Sequence, residues 1–431
     1  MLLGAPVGYG APLDLTERLL DAPGPGDPTP RWAASGAMAL TGRADGPPLL
    51  APPGVVDGLH RLAARLTAQS GALGTPVTVD GPALLGERAA CTGATRRGDV
   101  SVGGATRLLR AADGWVAVSL PRPSDLDLLP AWLGVDVLRG QPVAPPDELV
   151  AGPGAAWPAV AAAIAEWSAT ALVAAATPLG LACAALGETP VGPLALATPL
   201  GSAPATHHLR GVVVADLSSL WAGPLCGDLL ARAGATVRKV ESRQRPDGAR
   251  RGDPAFFALL DGAKSHVTVD LDAPGGRAEL AALLHDADVV IEASRPRALA
   301  QLGIDPARVA AAGRLRVWCS ITGHGRHGPA AQRVGFGDDA AVAGGLVAWD
   351  HGGPVFVADA AADPASGLAA AVAILDRLAA GGRWLVDVAL ARTAAHLAGP
   401  PAAGPAGPTA SGGAWVGPVA PPRARSAWRP A

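Results

Sequence analysis

The segment Asp363-Pro-Ala-Ser-Gly367 combines a carboxylate with a predicted helix start. Asp is a favoured N-cap, Pro fits the first helical position, and Leu368, Val372 and Leu375 then share one helical face. Backbone N–H groups and the helix dipole favour the ionised form of a carboxylate at this place. An ionised carboxylate is a nucleophile that can form a covalent intermediate. The plainer interpretation, that Asp363 only caps the helix, stays open on these grounds.

Strands and helices alternate around this segment, from residue 209 to residue 395. We predict strands at 212–215, 236–240, 267–271, 288–292 and 315–321, and helices near 223–233, 275–285 and 305–311. Such alternation indicates an α/β fold, a parallel sheet with helices on both faces. The turn Leu220-Trp221-Ala222 lies where the first strand ends and a helix begins. In α/β folds this crevice outside the carboxyl ends of the strands binds nucleotides.

The rest of the chain divides into a first region, 1–200, and a Pro/Gly-rich tail, 396–431. A linker of Pro, Gly and Ser type is predicted at 198–208, and the tail is expected to be extended or disordered. The first region contains a weak internal repeat of the second, since residues 32–49 resemble residues 343–356. In that alignment the place of Asp363 falls near Gly54, which has no side chain.

Composition excludes several classes of function. At 431 residues the chain can form two or three cores, and its net charge of −2 gives no reason to expect nucleic acid or an anionic membrane as a partner. The four cysteines form no CxxC pair, which argues against a disulfide framework or a zinc site and favours a reducing, cytoplasmic location. His324 and His327 have no carboxylates beside them in the sequence, so we predict no metal.

Two segments bear on targeting and on membrane insertion, the N-terminus and residues 167–187. The N-terminus lacks a basic region followed by a long apolar stretch, so no signal peptide is predicted. Residues 167–187 carry no charge over a length that could span a membrane, but Pro178 interrupts them. We predict a buried helix, a turn and a strand there instead.

The motifs together resemble the family III CoA-transferases, the group of formyl-CoA transferase, carnitine-CoA transferase and α-methylacyl-CoA racemase. The family pairs its nucleophilic aspartate with a glycine four residues on and with Ile-Leu two turns later, as Asp363, Gly367 and Ile374-Leu375 do here. The resemblance covers 209–395 most specifically. It is weaker over 30–190. This region resembles the later half and the small domain of the family, which here precede the nucleotide-binding half, as in a partial duplication or a circular permutation.

The resemblance implies a Rossmann-like CoA-binding domain with a smaller α+β domain, and a homodimer. It implies that Asp363 attacks an acyl-CoA, forming an aspartyl anhydride and then an aspartyl-CoA thioester before an acceptor acid takes the CoA. CoA would be a cosubstrate, with no permanently bound cofactor. The family's CoA contacts fall on Leu220, Trp221 and Ala222, and Lys239, Lys264 and Arg295 match further family positions. Ser242 replaces the family's basic residue after the glutamate, so Arg243 beside it is the candidate there.

Some residues leave alternatives open or depart from the family. Asp359 is the rival nucleophile, but it lacks the proline and glycine context. Phe336 stands where the racemases place a catalytic histidine, and Asp338-Asp339 has no assigned role. Gly344-Gly345 and Gly352-Gly353 are candidate oxyanion donors by composition. The stretch Gly323–Gly328 fits GxGxxG, but no helix pattern follows it, so we reject a dinucleotide site.

Three other functions compete with CoA transfer. A silent CoA-binding subunit would bind acyl-CoA without turnover, as the reordering suggests. An acyl-CoA racemase or isomerase needs a proton-transfer pair, which Phe336 disfavours. A dehydrogenase of NAD type needs a fingerprint that the sequence does not contain.

Overall fold

The computed structural model describes residues 13–16, 27–134, 156–400 and 417–426. Its strands are β1 (Leu13–Asp14), β2 (Thr106–Arg110), β3 (Trp115–Ser119), β4 (Ala182–Ala185), β5 (Leu196–Gly201), β6 (Val213–Asp216), β7 (Thr236–Ser242), β8 (Ser265–Val269), β9 (Val289–Glu292), β10 (Val317–Thr322), β11 (Val347–Asp350), β12 (Gly353–Phe356) and β13 (Arg383–Ala389). Its helices are α1 (Pro28–Ser35), α2 (Pro53–Ala72), α3 (Glu87–Thr92), α4 (Pro123–Asp127), α5 (Leu129–Leu133), α6 (Trp157–Ala165), α7 (Ala169–Leu179), α8 (Ala222–Arg232), α9 (Pro254–Asp261), α10 (Gly276–His285), α11 (Pro296–Gln301), α12 (Pro306–Ala312), α13 (Gly337–Ala343), α14 (Ala362–Ala380) and α15 (Leu390–Ala398).

The main sheet has the strand order β1-β5-β13-β10-β9-β6-β7-β8. The six strands from β13 to β8 are parallel, and β5 is antiparallel to both of its neighbours, β13 and β1. From β6 the chain moves outward through β7 to β8, then returns to the other side of β6 with β9. The predicted α/β class is confirmed.

Helices cover both faces of this sheet because alternate strand residues point to opposite sides. Along β9, Val289 and Ile291 lie in the core beneath α8 and α14, whereas Val290 lies in the opposite core with α10 and α12. Strand β10 alternates in the same way: Cys319 belongs to the first core and Trp318 to the second. Apolar runs on both faces are typical of buried parallel strands.

A smaller α+β unit interrupts the first region. Its antiparallel sheet has the order β2-β3-β4, and α4 to α7 cover one face of it. Helix α7 and strand β4 occupy the uncharged segment 167–187, as a helix, a turn and a strand. The hairpin β11–β12 packs Val347 and Phe356 against Leu108 of this small sheet.

The first region packs into the same core as the second. Helices α2 and α14 lie against each other, and Arg65 on α2 donates to the Asp376 carboxylate on α14 over 3.2 Å. The segment predicted as a linker begins inside β5, because residues 198–201 pair with β13. The physical reason is that, within the described residues, β1 pairs only with Leu196 and Ala197, so the rest of β5 has one open edge. An open edge tolerates Pro199 and Gly201, although sequence patterns associate these residues with loops.

Part of the tail is held against the protein body. The Ala420 N–H donates to the Ala33 carbonyl at 2.9 Å, and Arg425 pairs with the buried carboxylates of Glu87 and Asp228. Residues 417–426 are therefore extended and ordered. Residues 1–12, on which the signal-peptide prediction rests, and tail residues 401–416 and 427–431 lie outside the described residues. No helix in the described ranges is long and apolar enough to cross a membrane.

Candidate active site

The crevice of the main sheet opens between β6 and β9, where the strand order reverses. Loops that leave these two strands at their carboxyl ends diverge to opposite sides, which makes such a switch point the usual ligand site of an open α/β sheet. The turn Leu220-Trp221-Ala222 follows β6, and Arg295 follows β9. Helix α14 packs over α8, directly behind the first of these turns.

The turn after β6 has a strained backbone. Leu220 has φ of 71°, in the left-handed region that a leucine rarely adopts, and its side chain is exposed. The Asp247 carboxylate holds it there by accepting the Leu220 N–H at 3.0 Å. The next residue, Trp221, is buried, with its ring edge-on to Phe256 at 5.0 Å between centroids. An exposed strained leucine beside a rigid tryptophan indicates a surface shaped for a ligand.

The two lysines expected to contact phosphates are buried beneath this turn. Lys239 Nζ donates to the Asp247 carboxylate at 2.7 Å and to the Ser218 carbonyl at 2.8 Å. Lys264 Nζ donates to the carboxylates of Asp216 and Asp261, both at 2.7 Å. Both ammonium groups are directed at these buried carboxylates, which need them as counter-charges.

The two expected arginine contacts lie at the surface. The Arg243 side chain is 68% exposed, 3.4 Å from the Asp270 carboxylate. Arg295 lines a cavity of about 360 Å³ together with Arg122, Arg297 and the turn at Gly180. Burial and the neighbouring arginines lower the pKa of Arg295. Within the described residues Arg122 pairs with Asp125, while no ion pair engages Arg295 or Arg297. The cavity is therefore suited to an anion.

Asp363 does not cap its helix. Helix α14 begins at Ala362 with Ala361 as the N-cap, so Asp363 is the second helical residue. The chain has three other Asp-Pro pairs at helix starts, and in each the aspartate caps: Asp27, Asp253 and Asp305 accept backbone N–H groups of their helices. Asp363 is half-buried, and within the described residues no hydrogen bond or ion pair reaches its carboxylate. The capping interpretation is therefore wrong here.

Two glycines give the first turn of α14 its close contacts. A Cβ on Gly337 would stand 2.6 Å from Asp363 Oδ2, so the carboxylate lies against the backbone at the start of α13. A Cβ on Gly367 would stand 2.5 Å from the Ala222 carbonyl oxygen. Gly367 thus lets α14 approach the turn after β6, which brings Asp363 and the Leu220–Ala222 turn into one site.

Three further carboxylates surround Asp363. Asp359 is fully buried and forms a two-pronged ion pair with Arg88, with Nε 3.0 Å from Oδ2. Asp338 accepts the Ala360 N–H at 3.1 Å, and Asp339 accepts the Ser119 hydroxyl at 2.7 Å. Grouped carboxylates raise one another's pKa, because each ionised group disfavours the next.

The electrostatics of this cluster oppose the sequence prediction for Asp363. Burial raises the pKa of Asp363 to about 7; Arg88 opposes the shift, and the other three carboxylates add to it. Burial likewise raises the pKa of Asp338 to about 6 and that of Asp339 to about 7. The predicted stabilisation of the ionised form by the helix start is outweighed, since loss of hydration and like charges dominate.

Residues 209–415 match the sequence profile of CoA-transferase family III. This segment, just under half of the chain, is similar to that family. A succinate–glutarate CoA-transferase from Agrobacterium fabrum is 35% identical over 141 residues, which cover 30% of this chain and 35% of the relative. A human succinyl-CoA:glutarate CoA-transferase is 31% identical over 177 residues, covering 39% of this chain and 40% of the relative.

Among solved structures, a CAIB/BAIF family protein from Brucella suis shares 31% identity, with 43% of this chain and 54% of that chain covered at a TM-score of 0.40. The chain spans about a third to a half of the length of these curated relatives. The reversed order of its halves stays a prediction.

Other sequence predictions for a family III site differ from the structure. The N–H groups of Gly344, Gly345 and Gly352 donate to the Ala340 carbonyl, the Val342 carbonyl and the Asp350 carboxylate. They are not free to stabilise an oxyanion, because each closes its own helix end or turn. His324 is half-buried, and its Nε2 is buried without a hydrogen-bond partner among the described residues; burial lowers the pKa of the ring to about 3. No described group of three His, Cys, Asp or Glu residues has a metal-binding arrangement.

The site also contains residues that sequence patterns did not indicate. Arg88 is 271 residues from its partner Asp359, and Ser119 is 220 residues from Asp339. Both precede the matched family segment. Ala358 and Ala360, which flank Asp359, have φ of 53° and 44°. Strained residues on both sides of a buried aspartate are typical of functional loops, but alanines give no signal of this in a sequence.

Proposed function

We propose that this protein transfers CoA between an acyl-CoA thioester and a free carboxylic acid, with Asp363 as the nucleophile. The observation that carries the proposal is the contrast among the four Asp-Pro helix starts. In three of them the aspartate carboxylate caps the helix by accepting backbone N–H groups. The Asp363 carboxylate makes no such hydrogen bond within the described residues, and Asp363 is half-buried beside the crevice. The similarity of the 209–415 segment to family III supports the same reaction.

The proposed reaction proceeds through two covalent intermediates on Asp363. A carboxylate oxygen attacks the thioester carbonyl carbon, the C–S bond breaks, and CoA thiolate leaves a mixed anhydride. The thiolate then attacks the Asp363 carbonyl of the anhydride, which releases the donor acid and leaves an aspartyl-CoA thioester. The acceptor carboxylate repeats both steps in reverse order, and Asp363 is regenerated as a carboxylate.

The raised pKa of Asp363 favours the proposed attack on the thioester. A carboxylate with a pKa of about 7 is more basic than an ordinary aspartate, and nucleophilicity rises with basicity. Its contact with Gly337 limits hydration on one side. The ionised form is then less stabilised by its surroundings before attack, and its charge disperses into the acyl group as the bond forms.

For CoA we propose contacts with the Leu220-Trp221-Ala222 turn and with Arg295. The exposed Leu220 side chain offers an apolar surface at the switch point, and Arg295 lies in the arginine-lined cavity across it. Arg243 is exposed enough to join a phosphate contact. Lys239 contributes indirectly, because its ion pair holds Asp247 and thus the strained Leu220. Lys264 neutralises the buried carboxylates of Asp216 and Asp261 beneath the same turn.

The rival assignments have weaker support. Asp359 is fully buried and engaged by Arg88 through two bonds, so it would have to break an ion pair before attacking. A racemase would need a proton-transferring group where Phe336 stands. The homodimer rests on the resemblance and the cytoplasmic location on the cysteine pattern, and both stay predictions.

The test is to trap the covalent intermediate. The protein is incubated with a panel of acyl-CoAs that includes succinyl-CoA, then intact mass and hydroxamate formed on adding hydroxylamine are measured. Asp363→Ala is compared with Asp305→Ala, which removes an aspartate from a matched Asp-Pro helix start but away from the crevice.

We expect an adduct and a hydroxamate in the wild type and in Asp305→Ala, and none in Asp363→Ala. CoA binding without an adduct in the wild type would favour a silent CoA-binding subunit. An adduct that survives in Asp363→Ala would assign the nucleophile elsewhere, with Asp359 the first to examine.

A further inference from the structure

The cation at the candidate site comes from a part of the chain outside the family match. Arg88 lies on α3, and the matched segment begins at residue 209. Its guanidinium spans two elements of that segment. It pairs with the Asp359 carboxylate through both Nε and a terminal nitrogen, and its Cζ lies 5.3 Å from the centre of the Trp221 ring. One side chain therefore joins the turn before α14 to the turn before α8.

Both turns that Arg88 joins are strained. The non-glycine residues with left-handed backbone in the described ranges are Leu220, Ala358 and Ala360. Leu220 precedes Trp221, and the two alanines flank Asp359, so all three adjoin a residue that Arg88 contacts. Strained conformations cost about 1–3 kcal/mol each and persist only where surrounding contacts hold them. The two-pronged ion pair and the stacked ring are contacts of that kind.

The neighbours of Arg88 leave it little freedom. A Cβ on Gly103 would stand 3.0 Å from its terminal nitrogen, so the loop before β2 approaches the guanidinium closely. The side chain is 31% exposed, while that of Asp359 is 1% exposed. The buried end of the pair is thus the carboxylate, and arginine is the only natural side chain that can satisfy both of its oxygens in one plane.

We propose that Arg88 is a positioning residue for Asp363, which it acts on by locking the Asp359 turn to the Trp221 turn. Asp363 is four residues beyond Asp359, and its N–H donates to the carbonyl of the strained Ala360 at 2.8 Å. The orientation of its carboxylate therefore depends on the turn that Arg88 holds. For its link to CoA transfer this inference rests on the proposed function.

Arg88→Met removes the ion pair with Asp359 and keeps an apolar side chain. Arg88→Lys keeps the positive charge but cannot donate two parallel hydrogen bonds to the carboxylate. The matched control is Arg65→Met. Arg65 also joins the first region to α14, but its partner Asp376 lies thirteen residues after Asp363 on that helix. All variants are first compared by thermal unfolding, so that a loss of folding is recognised.

The first measurement is the rate of adduct formation with saturating succinyl-CoA at pH 8.5. This pH lies above the wild-type pKa of about 7 of Asp363. Because Arg88 lowers that pKa, the rate of Arg88→Met is also followed to higher pH, and the rates on the alkaline plateau are compared, so that differences report positioning. We expect the rate to fall about tenfold or more in Arg88→Met, with partial recovery in Arg88→Lys and no change in Arg65→Met, because small misplacements of a nucleophile are costly. The other charged groups facing Asp363 are Asp338, Asp339 and Asp359.

The second measurement does not depend on CoA transfer. A water-soluble carbodiimide with glycine ethyl ester labels protonated carboxyl groups, and peptide mass spectrometry assigns the label. In the wild type Asp359 should resist labelling at pH 7, since it is buried and paired. In Arg88→Met the Asp359 carboxyl group loses its ion-pair partner and its turn loosens, so labelling of Asp359 should rise about tenfold. Arg65→Met should match the wild type.

The two measurements separate this inference from the proposed function. If the wild type forms no adduct with any acyl-CoA of the panel, the proposed function fails and the labelling alone decides the role of Arg88. Wild-type labelling of Asp359 in Arg88→Met overturns the inference, whatever the rate. If Arg88→Met does not fold, Arg88→Lys decides: an adduct rate and an Asp359 labelling equal to wild type would overturn it.

Discussion

The Asp363 carboxylate lies directly against Gly337, at a distance that leaves no room for a side chain. A Cβ atom on Gly337 would stand 2.6 Å from Asp363 Oδ2 and 2.5 Å from the Ala360 carbonyl oxygen. The first obstacle is the proposed nucleophile, and the second is the backbone of a strained turn. Neither can move without displacing the site, so the absence of a side chain at 337 is a condition for its geometry.

Gly337→Ala should therefore impair the chemistry more than the fold. Forcing a methyl group into a packed site costs about 1–3 kcal/mol of unfolding free energy. We expect adduct formation from succinyl-CoA to fall about tenfold or more, because the carboxylate is pushed from its position. The measurements are the adduct rate by intact mass and the free energy of unfolding in urea.

Gly275→Ala is the matched control for this substitution. Gly275 also adjoins the start of a helix, α10, and a Cβ there would meet nothing within 4 Å. We expect its stability to change by no more than about 0.5 kcal/mol, with the adduct rate unchanged. A Gly337→Ala variant with the wild-type rate would mean that Asp363 has another productive position.

Adduct formation should depend on pH with a midpoint near 7. Burial and the neighbouring carboxylates raise the pKa of Asp363 to about 7, and only the ionised form attacks. The rate should therefore be constant above pH 8 and fall about tenfold for each pH unit below the midpoint. Asp359→Asn removes one neighbouring negative charge and leaves Arg88 positive, so it should move the midpoint to lower pH. A rate that stays constant down to pH 5 would contradict the raised pKa.

Asp363→Asn should stabilise the folded protein at alkaline pH while it abolishes the adduct. The pKa of Asp363 is higher in the folded protein than its ordinary value of 3.8, so the folded state binds the proton more tightly. The resulting stabilisation of the wild type is complete below pH 4 and is lost as the pH rises through 7. Asparagine carries no charge at any of these pH values. We expect the variant to exceed the wild type by about 1–3 kcal/mol at pH 8.

The comparison at low pH controls for the substitution itself. Near pH 4 both the Asp363 carboxyl and the asparagine amide are neutral, so the difference in unfolding free energy should largely vanish. Asp305→Asn is the matched control, because that carboxylate caps α12 by accepting the Arg308 N–H and asparagine can cap a helix in the same way. An Asp363→Asn variant less stable than the wild type at pH 8 would mean that the carboxylate has a stabilising partner.

The sheet could be predicted because its strands and helices are local patterns. The strands predicted at 236–240 and 288–292 correspond to β7 and β9 within two residues at each end, and the helix predicted near 275–285 corresponds to α10. Strand β5 could not be predicted in this way. Its position is decided by pairing with β13 about 190 residues later, and its Pro199 and Gly201 suggest a loop.

The site could be predicted only where a residue and its partners are close in sequence. Asp363 and Gly367 form such a motif, whereas the ion pair of Arg88 and Asp359 joins residues from distant parts of the chain. The lysines show that a matched sequence position does not by itself predict the surroundings of a side chain. Lys264 has the family's position in the sequence, but a sequence does not reveal that buried carboxylates surround its ammonium group.

Lys264→Met should destabilise the protein without a matching loss of CoA affinity. The substitution leaves the buried carboxylates of Asp216 and Asp261 without this counter-charge, and breaking such a pair typically costs about 3–5 kcal/mol. The measurements are thermal unfolding and CoA binding by calorimetry at a temperature where the variant is folded. We expect the Kd for CoA to stay within about threefold of wild type. A stable variant with greatly weakened binding would restore Lys264 as a phosphate contact.

Arg295→Ala should have the opposite profile, with weakened CoA binding and unchanged stability. Arg295 lines the arginine-rich cavity at the switch point, and no ion pair engages it within the described residues. Its removal therefore leaves no protein carboxylate unpaired. Loss of one charge-assisted hydrogen bond to a phosphate corresponds to about 1.5–3 kcal/mol, so the Kd for CoA should rise about tenfold or more.

The salt dependence of CoA binding distinguishes a direct contact from a general effect of charge. Arg210→Ala removes an equal charge from an exposed position just before β6, on the opposite end of that strand from the crevice. If Arg295 contacts phosphate directly, its variant should bind CoA weakly at both low and high salt, since a close pair is screened less than distant charges. If Arg210→Ala weakens binding equally at low salt and both variants recover the wild-type Kd at high salt, the cavity attracts CoA without touching it at Arg295.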